Sequence, residues 1–515
     1  MSRAGAGQTS HTATTRSSSL SSSADQRGRA PTGDNGAVRA TPRGRRPGHR
    51  RPKPPARPRD LESRVRGGTK WSMLNSVILR GASFLVGVAL ARTVFGPAAW
   101  GLYAISQLVL AVLLSVNELG ISAAIVRWEG DVRSYARTVV TLSLIASGLM
   151  YAALYAAAPT LAHMLAAPAA TRMLRVLCIC VIIDALYAVP FALLNREFAQ
   201  GRRMVVDTVN FVVGTGVTIW LAYTGYGVMS FAWGALAGCV VGLIVCTAAA
   251  PYVVMPGWNT SHARRLLKFG LPLAGANLFT WGVLNVDAAI VGATLGAVML
   301  GLYQLAFNIA AWPVTTLSLG VQRVSFAGFS RVADAGEAFA DGFNRGLSAL
   351  LAVTVPICVL LATFAAPLIR AVYGERWVPA AGALSLLALL GLMRTAFVLI
   401  NSCIAAADRR SALMGIQGVW LAVLIPVLLV GARLKGITGV SAGHVVVAAV
   451  VVAPASLWIL ARSGVPAASV ARACLRPAVG GALMAGASLL VIHLTGGSVA
   501  GLAAALAAGV AVYLP

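Results

Sequence analysis

One feature of this sequence narrows the possible folds more than any other. From Trp71 onward, apolar blocks of about 17–25 residues follow one another with only short polar connections. A helix rising 1.5 Å per residue crosses the hydrocarbon core of a bilayer in roughly 20 residues, so each block has the length of a membrane pass. Fourteen are legible, at 71–93, 100–122, 138–158, 173–194, 205–222, 227–250, 267–292, 298–320, 346–368, 380–404, 411–430, 437–460, 477–494 and 499–514. Inside lipid every backbone polar group needs an internal partner, and single apolar blocks of this length meet that need as helices. The pattern therefore predicts an all-α polytopic membrane protein. Trp71 and Trp100 fall where interfacial anchors sit.

The charges agree with lipid as the main solvent. Of the 42 Lys and Arg residues, 16 lie in residues 1–70 with only Asp25, Asp34, Asp60 and Glu62 against them. The remaining 445 residues carry 38 charges, too few to cover a water-soluble domain of that size. A nucleic-acid reading of the net charge of +26 fails on distribution, because the basic residues cluster in a tail or lie at the ends of apolar runs. The tail is a Ser, Gly, Pro and Arg segment with no apolar core for a signal peptide, and its composition predicts disorder. Arg45-Arg46 lacks the apolar stretch that a twin-arginine signal carries. So basic a tail resists translocation, and it serves topology or adhesion to anionic headgroups.

Fourteen passes starting in the cytoplasm put 17 Lys or Arg at cytoplasmic connections and 7 at external ones. Only Arg80 and Arg394 are left within spans. Both termini are thus expected to face the cytoplasm. None of the seven cysteines has metal or redox spacing, so they read as small apolar side chains.

The chain repeats itself. Shifted by 200 residues, Gly96-Pro-Ala-Ala-Trp-Gly101-Leu102-Tyr103 meets Gly296-Ala-Val-Met-Leu-Gly301-Leu302-Tyr303. Asn195 with Arg202-Arg203 is echoed by Asn401 with Arg409-Arg410. Six spans separate the copies, an even number, so the halves share orientation, as in rocking transporters with a central site. The expected organisation is a tail at 1–70, a six-helix bundle at 71–250, a linker at 251–266, a second bundle at 267–460, and two further helices within 461–515.

The sequence around these repeats resembles the Wzx-type polysaccharide transporters of the multidrug/oligosaccharidyl-lipid/polysaccharide exporter superfamily. The resemblance rests on Ala91-Arg92-Thr-Val-Phe-Gly96-Pro97, Gly101-Leu102-Tyr103, Glu118-Leu119-Gly120-Ile121, Asp287 before Val291-Gly292, Gly301 to Ala306, Phe329-Ser330-Arg331 and Gly374-Glu375-Arg376-Trp377. Glu118 stands where relatives carry Asp. The resemblance implies export of a lipid-linked oligosaccharide, on a polyprenyl pyrophosphate carrier, through the cytoplasmic (inner) membrane. Membrane lipids and other polysaccharide-assembly proteins are the implied partners. No nucleotide loop, zinc-protease motif or nucleophile elbow is present, and neither enzymatic activity nor a cofactor is expected. A multidrug-type exporter and a membrane polymerase or ligase are the rival readings. The short external connections disfavour the last.

Ionisable groups within spans are costly and face an interior or a cavity. Arg80 lies nine residues past Trp71 and reads as a pyrophosphate ligand or as the ion-pair partner of Asp184 or Asp287. Arg394 has the same two readings. Asp287 is the leading ion-coupling carboxylate, or an acid tying the first helix to the seventh, and Asp184 is second. Glu118 reads as structural. Gln304 and Asn308, with Trp281 and Trp312, are candidates for a sugar path. Prolines 190, 272, 313, 356, 426 and 454 fall within spans, where each should kink its helix and free a carbonyl, for flexing or for packing. Reporter fusions after residues 374 and 410 are expected to read external and cytoplasmic; the reverse pattern would invert the topology.

Overall fold

The computed structural model describes residues 77–117, 132–197, 199–332, 337–406, 410–495 and 498–513. The basic tail, Trp71, Glu118, Arg127 and Arg409 lie outside them. The described residues are almost wholly helical, and each expected span appears as helix. In chain order these are α1 (77–93), α2 (Pro97–Asn117), α3 (Val132–Met164), α4 (Ala170–Leu177 and Ile179–Arg196, joined at Cys178), α5 (Gln200–Tyr223) and α6 (Met229–Ala249). The run Thr260–Val332 is two helices, α7 and α8, broken at Gly296. Then come α9 (Glu337–Thr363), a short helix Ala365–Tyr373, a 3-10 turn Glu375–Ala380 and α10 (Ala381–Ala406). Arg410–Val447 breaks at Lys435–Gly436 into α11 and the start of α12, which continues to Ala461. The last two helices are α13 (Ala467–Thr495) and α14 (Val499–Tyr513).

The breaks fall at glycine rather than at proline. Gly296 has φ 81° and Gly436 φ 57°, values that side chains disfavour, and each turns one helix back on the next. Pro190, Pro272, Pro313, Pro356 and Pro426 all sit inside continuing helix, as proline within a membrane span can. Pro454 follows a π-helical turn over Ala448–Val452. The wider turn relieves the clash that a proline ring makes with the carbonyl four residues back. The expected linker is also shorter than its bounds. Asn259 Oδ1 accepts from the Ser261 backbone N–H at 3.0 Å, capping α7, which begins at Thr260.

Small residues set the helix crossings. The α11–α12 hairpin brings Gly431 against Gly439, and α5 meets α6 where Gly214 faces Gly234 and Gly238. Such contacts replace the hydrophobic drive that lipid removes, by letting backbones approach closely. Leu85, Leu149, Trp220 and Leu490 are exposed, as side chains that meet acyl chains would be. α13 and α14 pack on α9 through Gly481 against Val355, Ser348 Oγ to the Ala473 carbonyl at 2.7 Å, and Tyr513 Oη to the Ala352 carbonyl at 3.0 Å.

The repeated motif is itself the contact between α2 and α8. A Cβ on Gly101 would fall on the Ala297 carbonyl, and one on Gly301 on the Pro97 carbonyl. The shift of 200 relates these two contacts, so they form a pseudo-symmetric pair. Gly101→Ala and Gly301→Ala should each cost about 1–3 kcal/mol by overpacking. Each should also lengthen the distance between spin labels at the exposed positions Thr93 and Arg370. A variant with wild-type melting and an unchanged distance would refute the role of this contact.

Candidate functional site

One end of the bundle is held shut by polar bonds from the second half to the last turn of α1. The Arg376 guanidinium donates to the carbonyls of Ala91 and Arg92, both at 2.7 Å, and Trp377 Nε1 donates to Ala91 at 3.0 Å. The final carbonyls of a helix have no partner within it, so these donors cap α1 from another part of the chain. Arg92 reciprocates, donating to the carbonyls of Ala371 and Val372. Trp377 is fully buried and meets Trp100 edge to face, with centroids 6.1 Å apart. Trp100, expected at the interface, is instead packed among Trp377, Tyr103 and Phe231. The Gly374-Glu375-x-Trp377 segment is therefore a clasp between the halves.

Beyond the clasp lies a cavity of ≈ 260 Å³ between α2 on one side and α7 and α8 on the other. Trp100, Tyr103 and four amides, Gln107, Asn285, Gln304 and Asn308, supply its polar and aromatic lining, and Ala104, Leu108, Ala111 and Ala288 complete it. No acid or base lines it. Gln107 Nε2 donates to Tyr103 Oη at 2.7 Å, and Asn285 Nδ2 to its own helix at the Trp281 carbonyl, 3.0 Å away. A second cavity of ≈ 400 Å³ lies within the first half, among α1, α2, α5 and α6. Trp100 and Tyr103 line both.

The expected site residues do not come together in one place. Gln304 and Asn308 line the central cavity. Arg394 lines a small recess beside it, its guanidinium 5.7 Å from the Phe307 ring. Arg80 is exposed and lines neither cavity; it sits one turn from Phe84, whose ring stacks on Trp312 of the second half at 6.4 Å. That face of α1 looks toward the gap between the halves.

Asp287 is buried and engaged elsewhere. Tyr303 Oη donates to its Oδ2 at 2.7 Å, and His444 Nε2 stands 3.4 Å from the same oxygen, within ion-pair reach but without hydrogen-bond alignment. These partners come from α8 and α12, so Asp287 does not tie α7 to α1, and it is not the partner of Arg80. Asp184, half-buried on α4, lines neither cavity.

Sequence reasoning missed Trp100, Tyr103, Gln107 and His444 as site residues. Tyr103 and Tyr303 stood in plain view as the tyrosines of the repeated Gly-Leu-Tyr. Gln107 was signalled by its place one turn beyond Tyr103 on an otherwise apolar helix. His444 had no local signal, because its partner lies more than 150 residues away.

The polysaccharide biosynthesis protein family matches residues 89–382, more than half of the chain. The chain belongs to this family. The matched segment holds every residue lining the central cavity and the clasp, and leaves out Arg80, Arg394 and His444. The chain is similar to the lipopolysaccharide biosynthesis protein WzxC of Escherichia coli K12, 23% identical over 389 residues, covering 75% of this chain and 79% of that one. It is similar also to the teichuronic acid biosynthesis protein TuaB of Bacillus subtilis 168, 22% identical over 299 residues, covering 56% and 59%. Among solved structures it shares the fold of the lipid II flippase MurJ in an inward closed conformation. That likeness has TM-score 0.70 and 15% identity over 86% of this chain and 97% of that one. An inward-facing multidrug resistance MATE transporter superposes less well, with TM-score 0.53 and 17% identity over 73% and 94%. It is a multi-pass membrane protein of this transporter fold.

Because Asp287 is held by Tyr303 and His444, Asp287→Ala should lower protein abundance by stranding buried polar groups. Arg80→Ala should leave abundance unchanged. Adding Arg80→Ala to Asp287→Ala should rescue nothing, and recovery in the double variant would restore the rejected pairing.

Proposed function

We propose that this protein is a flippase that moves a lipid-linked oligosaccharide, on a polyprenyl pyrophosphate carrier, across the cytoplasmic membrane by alternating access. The observation that carries this reading is a cavity lined by amides and rings, set between two halves of an apolar bundle and closed at one end. A polar cavity inside lipid-facing helices has no packing use and suits a hydrophilic headgroup in transit. Membership of the polysaccharide biosynthesis family and the fold shared with a lipid II flippase support the same cargo class.

In this reading the bundles at 71–250 and 267–460 rock about the Gly101–Gly301 contact. The clasped end faces outward, as the loop charge bias predicts, and both termini face the cytoplasm. No covalent step is needed. Asp287, with Tyr303 and His444, is the leading site for a driving cation or proton, since a charge change at a buried carboxylate repacks what surrounds it. Asp184 is the second candidate. The basic tail rests against anionic headgroups, and other polysaccharide-assembly proteins receive the product.

Deletion of the gene should abolish surface polysaccharide and leave the lipid-linked unit on the cytoplasmic side, with complementation restoring export. Normal polysaccharide with new drug sensitivity would favour a multidrug exporter. External accumulation of unpolymerised units would instead favour a polymerase or ligase.

A further inference from the structure

A groove that neither the cavities nor the clasp use runs along α11 and α12. Its volume is ≈ 340 Å³, with Gly415 and Val419 of α11 on one side and Val451, Val452 and Ala455 of α12 on the other. Gly415, Val419 and Trp458 are exposed, so the groove opens to the bilayer rather than to the bundle interior. One wall includes the end of the π-helical turn Ala448–Val452, a rare winding that recurs at functional sites. α10 starts at the clasp, so α11 begins and α12 ends at the opposite end of the bundle. From Arg462 at its mouth to Val451 the groove follows α12 for roughly 17 Å, at 1.5 Å per residue. Half of a hydrocarbon core is about 15 Å thick. The groove has the depth of one leaflet.

We propose that this groove binds an anionic phospholipid of the bilayer, one acyl chain between α11 and α12 and the phosphate on Arg462. The site is separate from the path of any cargo. At its mouth the Arg462 guanidinium lies over the Trp458 ring, 3.8 Å from the centroid. A tryptophan and an arginine in the last turn of a span both belong at headgroup level. A guanidinium has five N–H donors, so it can keep contacts within the protein and still hold phosphate oxygens. Charge selects the kind of lipid. Arg472 and Arg476, both exposed, lie in the first three turns of α13, just past the same end. Beyond Asp408 the sequence has no acid at all. A margin with cations and no acids prefers lipids of net negative charge to zwitterionic ones. Under the loop charge bias this is the cytoplasmic leaflet.

The test uses the full chain in phosphatidylcholine nanodiscs, doped with phosphatidylglycerol or phosphatidylcholine that carries brominated acyl chains. Bromine quenches tryptophan fluorescence on contact, and subtracting the Trp458→Phe signal isolates Trp458. Brominated phosphatidylglycerol should quench Trp458 at a mole fraction about fivefold or more below that of brominated phosphatidylcholine. Arg462→Gln should cut this preference about fivefold, the effect of one basic residue at an anionic surface. Arg462→Lys should keep most of it, because the charge survives although the fork is lost.

Gly415→Leu guards against misfolding. A Cβ at Gly415 meets nothing within 4 Å, so a larger side chain enters the groove without pressing on a neighbour. It should leave melting unchanged and exclude the chain, so that the two brominated lipids quench Trp458 alike. Equal quenching by the two lipids in wild type would overturn the proposal. So would a full preference surviving in Arg462→Gln or in Gly415→Leu. Displacement of the phosphatidylglycerol by equimolar farnesyl diphosphate would also overturn it, by giving the groove to a prenyl tail. Quenching of Trp458 by neither lipid would put protein over the groove and end the proposal too. The flippase reading stands apart from all of these, since export in the deletion strain decides it.

Discussion

Two glycines in backbone contact hold the most consequential position in this molecule. At Gly101 and Gly301 the α2 and α8 backbones come so near that neither tolerates a Cβ. In lipid, helices gain little by hiding apolar surface from one another, so close approach is the main source of affinity between them. The approach also aligns α2 and α8 face to face below the contact. Gln107 and Ala104 are thereby set opposite Gln304 and Asn308. Cavity, clasp and pseudo-symmetry all follow from one short motif used twice.

The cavity's neutrality is an economical answer to the cost of polarity in a bilayer. An amide left without a partner costs a few kcal/mol, whereas an unpaired charge at that depth costs more and invites a counter-ion. The protein keeps its charges where they are matched or can reach an opening. Asp287 is held by Tyr303 and His444. Arg394 lies over Phe307, and Arg80 is exposed on a face turned to the gap. A neutral pocket can stay open and hydrated through a cycle, which a row of unpaired cations could not do cheaply.

The fold was legible in the sequence because membrane passes are a one-dimensional property. Block length and loop charge do not depend on what folds next to what, so every span was found with only its ends displaced. The site was legible in part. Gln304 and Asn308 were visible as polar residues at i and i+4 within an apolar run. The Asp287–His444 contact was not, because no local spacing encodes it. Trp100 was misread for a related reason: a tryptophan near a span end looks like an anchor until Trp377, from the other half, is packed against it. A helix among other helices can absorb the donor that a proline lacks, while a positive φ at Gly296 or Gly436 ends the helix outright.

The clasp on α1 has a consequence for the energetics of opening. Three hydrogen bonds from Arg376 and Trp377 satisfy carbonyls at the end of α1 that its own helix leaves bare. When the halves part, those carbonyls, the guanidinium and the indole all need new partners, and only solvent can supply them. Separating the clasp is therefore a hydration reaction, with water on one side of its equilibrium. The balance between the two faces of the transporter then depends on water activity, and osmotic pressure biases it before any cargo is bound.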